Sequence, residues 1–388
     1  MCGVSKSATM SSRSKLSVVC TMAIVCCVLL VLHMGIYHTQ PEINSYSARG
    51  NHLQQGIRNV VLNLMNYRHY HAATDGYIMK SLMEYSLPLT RTEFFDVLLN
   101  DTSTASQVTN RTLLLKYREE FNEGSTAVGL PQNMFCTKEN TNVDETLGFL
   151  FSLGKAKITQ HLWNLFPETS IFKDKRRYKK CNIIGNSGIL FSSKCGKQID
   201  DADFILRCNL PTLKGFEDDV GIHTDLVTAN PSIFRERFDS MATEASKREF
   251  RQSLSNYDGV IWVPALSVSD TWSLAVEAVN ISASQDIKIV FGHPENYLAV
   301  WHLWKALGHK DQITTGFYMT TSLLNICEET HLYGFWPFAE TADGTHVPYH
   351  YYDSDSPVLQ FHDTDNEFEI LMRLHQLNLL KLHVGPCS

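Results

Sequence analysis

The chain has 388 residues, 44% of them hydrophobic, 11% aromatic and 19% charged, which is enough for a sizeable core and too apolar for wholesale disorder. Its formal charge is −7, and because the first fifteen residues hold Lys6, Arg13 and Lys15 and no acid, the remainder carries −10. So acidic a body excludes nucleic acid as a partner held by phosphate neutralisation.

No Asp, Glu, Lys or Arg occurs between Lys15 and Glu42, and the stretch 16–37 is largely apolar. About 20 such residues span a bilayer, and a basic flank on the amino side keeps that end cytoplasmic. The expectation is a cytoplasmic tail (1–15), a transmembrane signal-anchor (16–37) contacting membrane lipid, and a lumenal or extracellular body. A cleaved signal peptide is the other reading. It is disfavoured by the length of the run and by the lack of a small-x-small site after Leu32.

Residues 38–150 are polar and mixed, with helical pattern at Ile57 to Met65 and Leu113 to Phe121, and read as a stem leading into a catalytic body over 151–388. The run Lys173 to Lys180, six basic residues against one Asp, reads as a solvated face. From Cys181 onward, short apolar runs alternate with amphipathic stretches. Strands are expected at Cys181–Gly185, Phe204–Arg207, Asp225–Thr228, Gly259–Val263, Ile287–Phe291, His331–Tyr333 and Lys381–Val384. Helices are expected from Asn230-Pro231, over Pro294 to Leu307 with Gly308 closing, over Thr314 to Cys327, and over Asn366 to Leu380. Strand alternating with helix predicts an α/β fold with a mainly parallel sheet covered on both faces.

Six of the ten cysteines lie in the body: Cys136, Cys181, Cys195, Cys208, Cys327 and Cys387. In an oxidising compartment some of them pair, but sequence alone does not choose among the pairings. Sequons at Asn100, Asn110 and Asn280 fit such a compartment. Cys136 is available to bridge two chains, so a homodimer is an open expectation.

Several segments carry candidate chemistry. Gly185-Asn186-Ser187-Gly188 follows a strand, where open α/β sheets bind ligands, although a plain strand-to-helix turn reads equally well. Thr314-Thr315-Gly316 opens a helix, which makes either an anion site or a simple cap. His346, His350 and His362 suit proton transfer near neutral pH. His346 and His350 have the spacing of a metal pair but no third ligand. Asp-x-Asp occurs at Asp201/Asp203, Asp353/Asp355 and Asp363/Asp365 and is not taken as a metal site.

Four blocks, in order, resemble the sialylmotifs of the vertebrate-type sialyltransferases. Cys181 to Asn230 resembles the large motif, Ile313 to Phe338 the small motif, His350-Tyr351-Tyr352-Asp353 the third, and His362 with Glu367 the very small motif. Arg207-Cys208-Asn209-Leu210-Pro211 and Tyr333-Gly334-Phe335-Trp336-Pro337-Phe338 look most like the α2,8 branch. The resemblance implies a Rossmann-like glycosyltransferase domain, a GT-A-like variant, behind an anchor and stem in the Golgi membrane. It implies a type II protein using CMP-sialic acid without a metal or other cofactor, on a sialylated glycolipid or glycoprotein acceptor. Carried over position by position, Asn186, Asn209, Thr314, Thr315, Gly316, Trp336 and Pro337 bind the donor, with Ser187 and Glu367 supporting. His350 meets the donor phosphate and His362 is the general base. The implied disulfides are Cys181–Cys327 and Cys195–Cys387. The charge balance of −2 between Trp262 and Asp311 argues for mono- or oligosialylation over a long polymer. The rival expectations are transfer to galactose or N-acetylgalactosamine, and a catalytically silent glycan-binding relative.

Overall fold

The computed structural model describes residues 79, 108–174, 177–283, 287–341, 344–353 and 362–387. The expected tail, the anchor at 16–37, the helical pattern at 57–65 and the sequon at Asn100 lie outside them. Among the described residues no helix is long and apolar enough to cross a membrane.

The helices are α1 (Arg111–Ser125), α2 (Gln160–Leu165), α3 (Gly196–Asp200), α4 (Glu217–Val220), α5 (Pro231–Glu236), α6 (Glu244–Leu254), α7 (Trp272–Ser282), α8 (Pro294–Ala306), α9 (Thr315–Leu323) and α10 (Thr364–Gln376). Strands β1 (Thr146–Gly148) and β2 (Lys155–Lys157) form an antiparallel pair. The main sheet comprises β3 (Tyr178–Ile184), β4 (Phe204–Arg207), β5 (Leu226–Thr228), β6 (Val260–Val263), β7 (Lys288–Phe291), β8 (Cys327–Tyr333) and β9 (Lys381–His383). Its order is β7-β6-β5-β4-β3-β8-β9, with every described pairing parallel. The chain runs from β3 outward to β7, then crosses back to β8 on the other side of β3. The β3–β8 boundary is therefore a topological switch point, the place where open α/β sheets leave a crevice at the carboxyl ends of their strands.

Both faces of the sheet are buried, which is why its strands read as apolar runs rather than as alternation. One core gathers Phe121, Trp301, Trp304, Phe317 and Leu371 from α1, α8, α9 and α10. The other gathers Ile199, Phe234, Phe250 and Ala275 from α3, α5, α6 and α7. On β3, Ile183 faces the first core and Ile184 the second. Asn182 is fully buried on the same face as Ile184, its amide donating to the Gln198 and Ile199 carbonyls of α3.

Two strands start earlier than their apolar runs suggest. β3 begins at Tyr178 and β8 at Cys327, because polar residues such as Lys180 and Glu329 still pair in the ladder. The helix expected over Thr314 to Cys327 accordingly ends at Leu323. Within the segment read as stem, α1 packs into the body, with Tyr117 and Phe121 fully buried, so the folded unit reaches well amino-terminal of residue 151. Cys136 is fully buried with its thiol toward the Gly292 carbonyl. That corrects the expectation that it bridges two chains: its sulfur cannot reach a partner without opening the core. Within the basic run, Lys173 pairs with Glu139 and Lys180 with Asp201, while Arg177 and Lys179 are exposed.

Cys181 is bonded to Cys327 and Cys195 to Cys387, the two pairs that the resemblance implies. The edge strand β9 is held by rings. His383 stacks on Tyr333 at 4.2 Å and meets His331, with Nδ1 of His331 3.0 Å from Nε2 of His383. Burial, then the neighbouring His383, Lys381 and Lys180, push the His331 pKa down to about 2. Burial, then His375, Lys381 and Lys180, push that of His383 down to about 3. Glu329 lies 3.8 Å from His331 Nε2 but is about half exposed and offsets little. Both rings therefore stay neutral in the folded state while the unfolded chain takes up protons below about pH 6.5. Stability present above that pH is lost as the pH falls, by about 1.4 kcal/mol per pH unit for each proton bound by the unfolded chain alone. Urea midpoints measured between pH 7.5 and 5 are expected to fall with that sign, and a His383→Phe variant to show a flatter slope.

Candidate active site

The crevice at the switch point is built from turns that follow four strands. After β3, the Gly185 N–H donates to the Tyr333 carbonyl and the Ser187 N–H to that of Gly334. This lays the Asn186 turn against the turn after β8. The approach admits no side chain: a Cβ on Gly185 would sit 2.4 Å from the Gly334 carbonyl oxygen, and Gly334 itself has a φ of +71°.

The Asn186 amide donates to the Cys208 carbonyl at 2.9 Å, tying the β3 turn to the end of β4, while its Oδ1 is buried without a partner. Beside it Asn209 adopts a φ of +57°, a conformation that Asn tolerates better than most residues. Its N–H donates to Thr228 Oγ1 and its Oδ1 accepts from the Asn230 N–H, both at 2.9 Å. Asn230 Oδ1 then accepts from the Thr315 hydroxyl at 3.1 Å. A continuous chain of bonds thus runs from Asn186 through Asn209 and Asn230 to the start of α9. The preceding Arg207 is fully buried and donates to the Val220 and His223 carbonyls, so the β4 turn has little freedom.

At the start of α9 the backbone donors are partly committed. Thr314 Oγ1 accepts from the Phe317 N–H, and Thr314 gives its own N–H and hydroxyl to the two oxygens of Glu367, each at 2.6 Å. By position, the N–H groups of Thr315 and Gly316 have no intrahelical acceptor and remain for a ligand. Glu367 is 4% exposed, and burial pushes its pKa up to about 8 against the two bonds from Thr314, which pull it down. A carboxyl therefore holds the helix start without placing a full negative charge beside it at neutral pH. Buried His309, its Nε2 4.0 Å from Glu367, is held below the usual histidine range by burial.

His350 lies on a segment that bridges Ser187, and its Nδ1 faces the Asp353 carboxylate at 3.0 Å. That bond orients the ring and, with Nδ1 engaged by the carboxylate, turns Nε2 outward. The next residue, Tyr351, fixes the segment by donating its N–H to the Asn186 carbonyl and its hydroxyl to that of Thr212. His362 Nδ1 lies 2.8 Å from the Gln312 carbonyl. A backbone carbonyl accepts only, so Nδ1 carries the proton and the lone pair is left on Nε2, as a general base requires.

His362 and Thr315 line a cleft of about 260 Å³ together with Asn230, Arg235, Trp262 and Gln312. The other predicted donor residues lie outside its lining, with Asn186 and Asn209 in the adjoining hydrogen-bond network. Trp336 is buried against Phe338 and Phe368 with its indole N–H donating to the Glu340 carbonyl, and Pro337 next to it is exposed. Of the Asp-x-Asp residues, Asp201 pairs with Lys180, Asp203 accepts from the Lys180 N–H, Asp353 faces His350 and Asp363 caps α10. Asn110 caps α1 and Asn280 is exposed near the end of α7. Sequence reasoning missed Gln312, Arg235 and His309. Gln312 acts through its backbone carbonyl, so its side-chain type gave no signal.

Residues 131–379 match the family model of glycosyltransferase family 29, the sialyltransferases, and the chain belongs to that family. It is a sialyltransferase by class. Among curated relatives, it is 36% identical over 264 residues to "Alpha-2,8-sialyltransferase 8E" of Rattus norvegicus, covering 66% of this chain and 69% of the relative. It is also 36% identical over 267 residues to "Alpha-N-acetylneuraminide alpha-2,8-sialyltransferase" of Xenopus laevis, covering 66% and 72%. A solved mammalian sialyltransferase in complex with Gal-beta-1-3GalNAc-ortho-nitrophenol is 27% identical, over 53% of this chain and 70% of that one, with a TM-score of 0.38.

Truncating Glu367→Ala strips Thr314 of both acceptors and leaves a part-buried N–H unsatisfied. The expected loss is about 2–4 kcal/mol in urea unfolding, and Glu367→Gln, which keeps an acceptor for that N–H, is expected to lose less than half as much.

Proposed function

We propose that this protein transfers sialic acid from CMP-sialic acid to the 8-hydroxyl of a terminal sialic acid on a glycolipid or glycoprotein glycan. The names of its relatives support the linkage. The observation that carries the reaction is His362, its Nδ1 engaged by the Gln312 carbonyl and its Nε2 free, in a cleft that also reaches Thr315.

The bond between the donor's anomeric carbon and the CMP phosphate oxygen breaks as the acceptor O8 attacks from the opposite face. The O8 proton passes to His362 Nε2. The departing phosphate gains charge and is met by the free N–H groups of Thr315 and Gly316 and by His350 Nε2–H, donors already fixed in place. Asn186, through its unpartnered Oδ1, and Asn209 orient the CMP moiety beside Ser187, with Trp336 and Pro337 forming the wall of that half. One inverting displacement is sufficient, with no covalent intermediate and no metal. The acidic balance around Trp262 to Asp311 favours addition of one or a few residues. This reading has the body in the Golgi lumen behind a type II anchor.

With the full chain, CMP-sialic acid and an α2,3-sialylated acceptor, turnover is expected to persist in EDTA and to give a 2→8 linkage on linkage analysis. A His362→Ala variant is expected to lose about 10²–10⁴-fold in kcat while still binding CMP. Turnover abolished by EDTA, a linkage to galactose, or an unchanged kcat in the variant would each contradict the reading.

A further inference from the structure

The cleft beside His362 has a lining unlike that of the donor half. Its described walls include Arg235, no lysine and no carboxylate, in a chain whose net charge is −7. Its floor is apolar. The Trp262 indole N–H is bound to the Met134 carbonyl and the Tyr297 hydroxyl to the Ile313 carbonyl, so both present ring faces rather than polar tips. His293 is also in the lining, and burial pushes its pKa below the ordinary histidine value.

Arg235 stands on α5, whose first residue, Pro231, follows the β5 turn that holds the Asn209–Asn230 bond. Its described partner is Asp270 at 3.2 Å, with the two side chains 50% and 67% exposed. A pair that exposed is weak and exchangeable, and it engages one Nη of a guanidinium with five donors. The planar fork of Arg matches a carboxylate through two parallel bonds.

We infer that this cleft seats the terminal sugar of the acceptor and that Arg235 is its specificity-determining residue, binding the carboxylate of that sugar. The assignment rests on the acceptor ending in sialic acid, as proposed above. In such a sugar the C1 carboxylate on C2 and the side chain carrying the C8 hydroxyl on C6 flank the same ring oxygen, so one cleft can serve both. A cation on one wall and the His362 base on another reach the two groups, and the apolar floor takes the acetyl methyl. A neutral galactose acceptor has no carboxylate to offer the guanidinium.

The test uses the full chain with α2,3-sialyllactose, its sialic acid methyl ester, and lactose. For the parent, kcat/KM on the ester is expected to fall about 10- to 30-fold, as for loss of a hydrogen-bonded charge. Arg235→Gln is expected to raise the KM for sialyllactose by a similar factor, to keep the KM for CMP-sialic acid within about twofold, and to stop distinguishing acid from ester. Arg235→Lys is expected to fall between the two. A glutamine variant with the parent's acceptor KM, or one that still discriminates against the ester, would overturn the assignment. If the parent sialylates lactose and neither sialylated acceptor, the proposed linkage itself fails and the assignment falls with it.

Discussion

The structure depends on the seam between β3 and β8. These are the longest strands of the sheet, seven residues each, and they are neighbours in space although a long excursion through β7 separates them in sequence. The Cys181–Cys327 bond closes a separation of 146 residues at that seam. In the chain-entropy view a link over so long a loop removes about 5 kcal/mol of freedom from the unfolded chain. Cys195–Cys387, spanning 192 residues, fastens the carboxyl end to the turn after the β3 strand and so closes the far side of the same layer. At the carboxyl end of the seam the Gly185–Gly334 contact brings two turns into backbone contact, and the crevice opens above it.

From this seam the electrostatics of the site follow. The chain is acidic as a whole, yet the proposed reaction sheds an anionic leaving group. In that reading the site answers with backbone donors at the start of α9 and a histidine oriented by a carboxylate, rather than with a cluster of lysines. The buried Glu367 fits the same logic. It anchors Thr314 through two short bonds, and because burial favours its neutral form it costs the helix start little of its attraction for an anion. The proposed base is prepared differently. His362 is aimed by a single backbone carbonyl, so its tautomer is set before any substrate arrives.

Much of this was legible in the chain. The parallel sheet followed from apolar runs bounded by glycine and asparagine turns, and the start of α5 from Asn230-Pro231. What stayed hidden has physical causes. The early starts of β3 and β8 were invisible because Lys180 and Glu329 pair through their backbones while their side chains reach solvent. The packing of α1 was missed because its apolar residues are few, although Tyr117 and Phe121 reach the centre of a core. The residues of the donor half were placed by motif resemblance, since a lone Asn186 or Thr314 has no spacing rule of its own. Arg235 and the Gln312 carbonyl gained meaning from the cleft alone, because each comes near His362 through tertiary structure.

The central claim is that the nucleotide end of the donor is received at the start of α9, in the crevice above the seam. Amide hydrogen exchange with and without CMP tests it directly. The account predicts that CMP slows exchange at the Thr315 and Gly316 N–H groups, and at Asn186 and Ser187 in the turn facing them. Unchanged exchange at Thr315 and Gly316, with protection appearing elsewhere on the body, would contradict it.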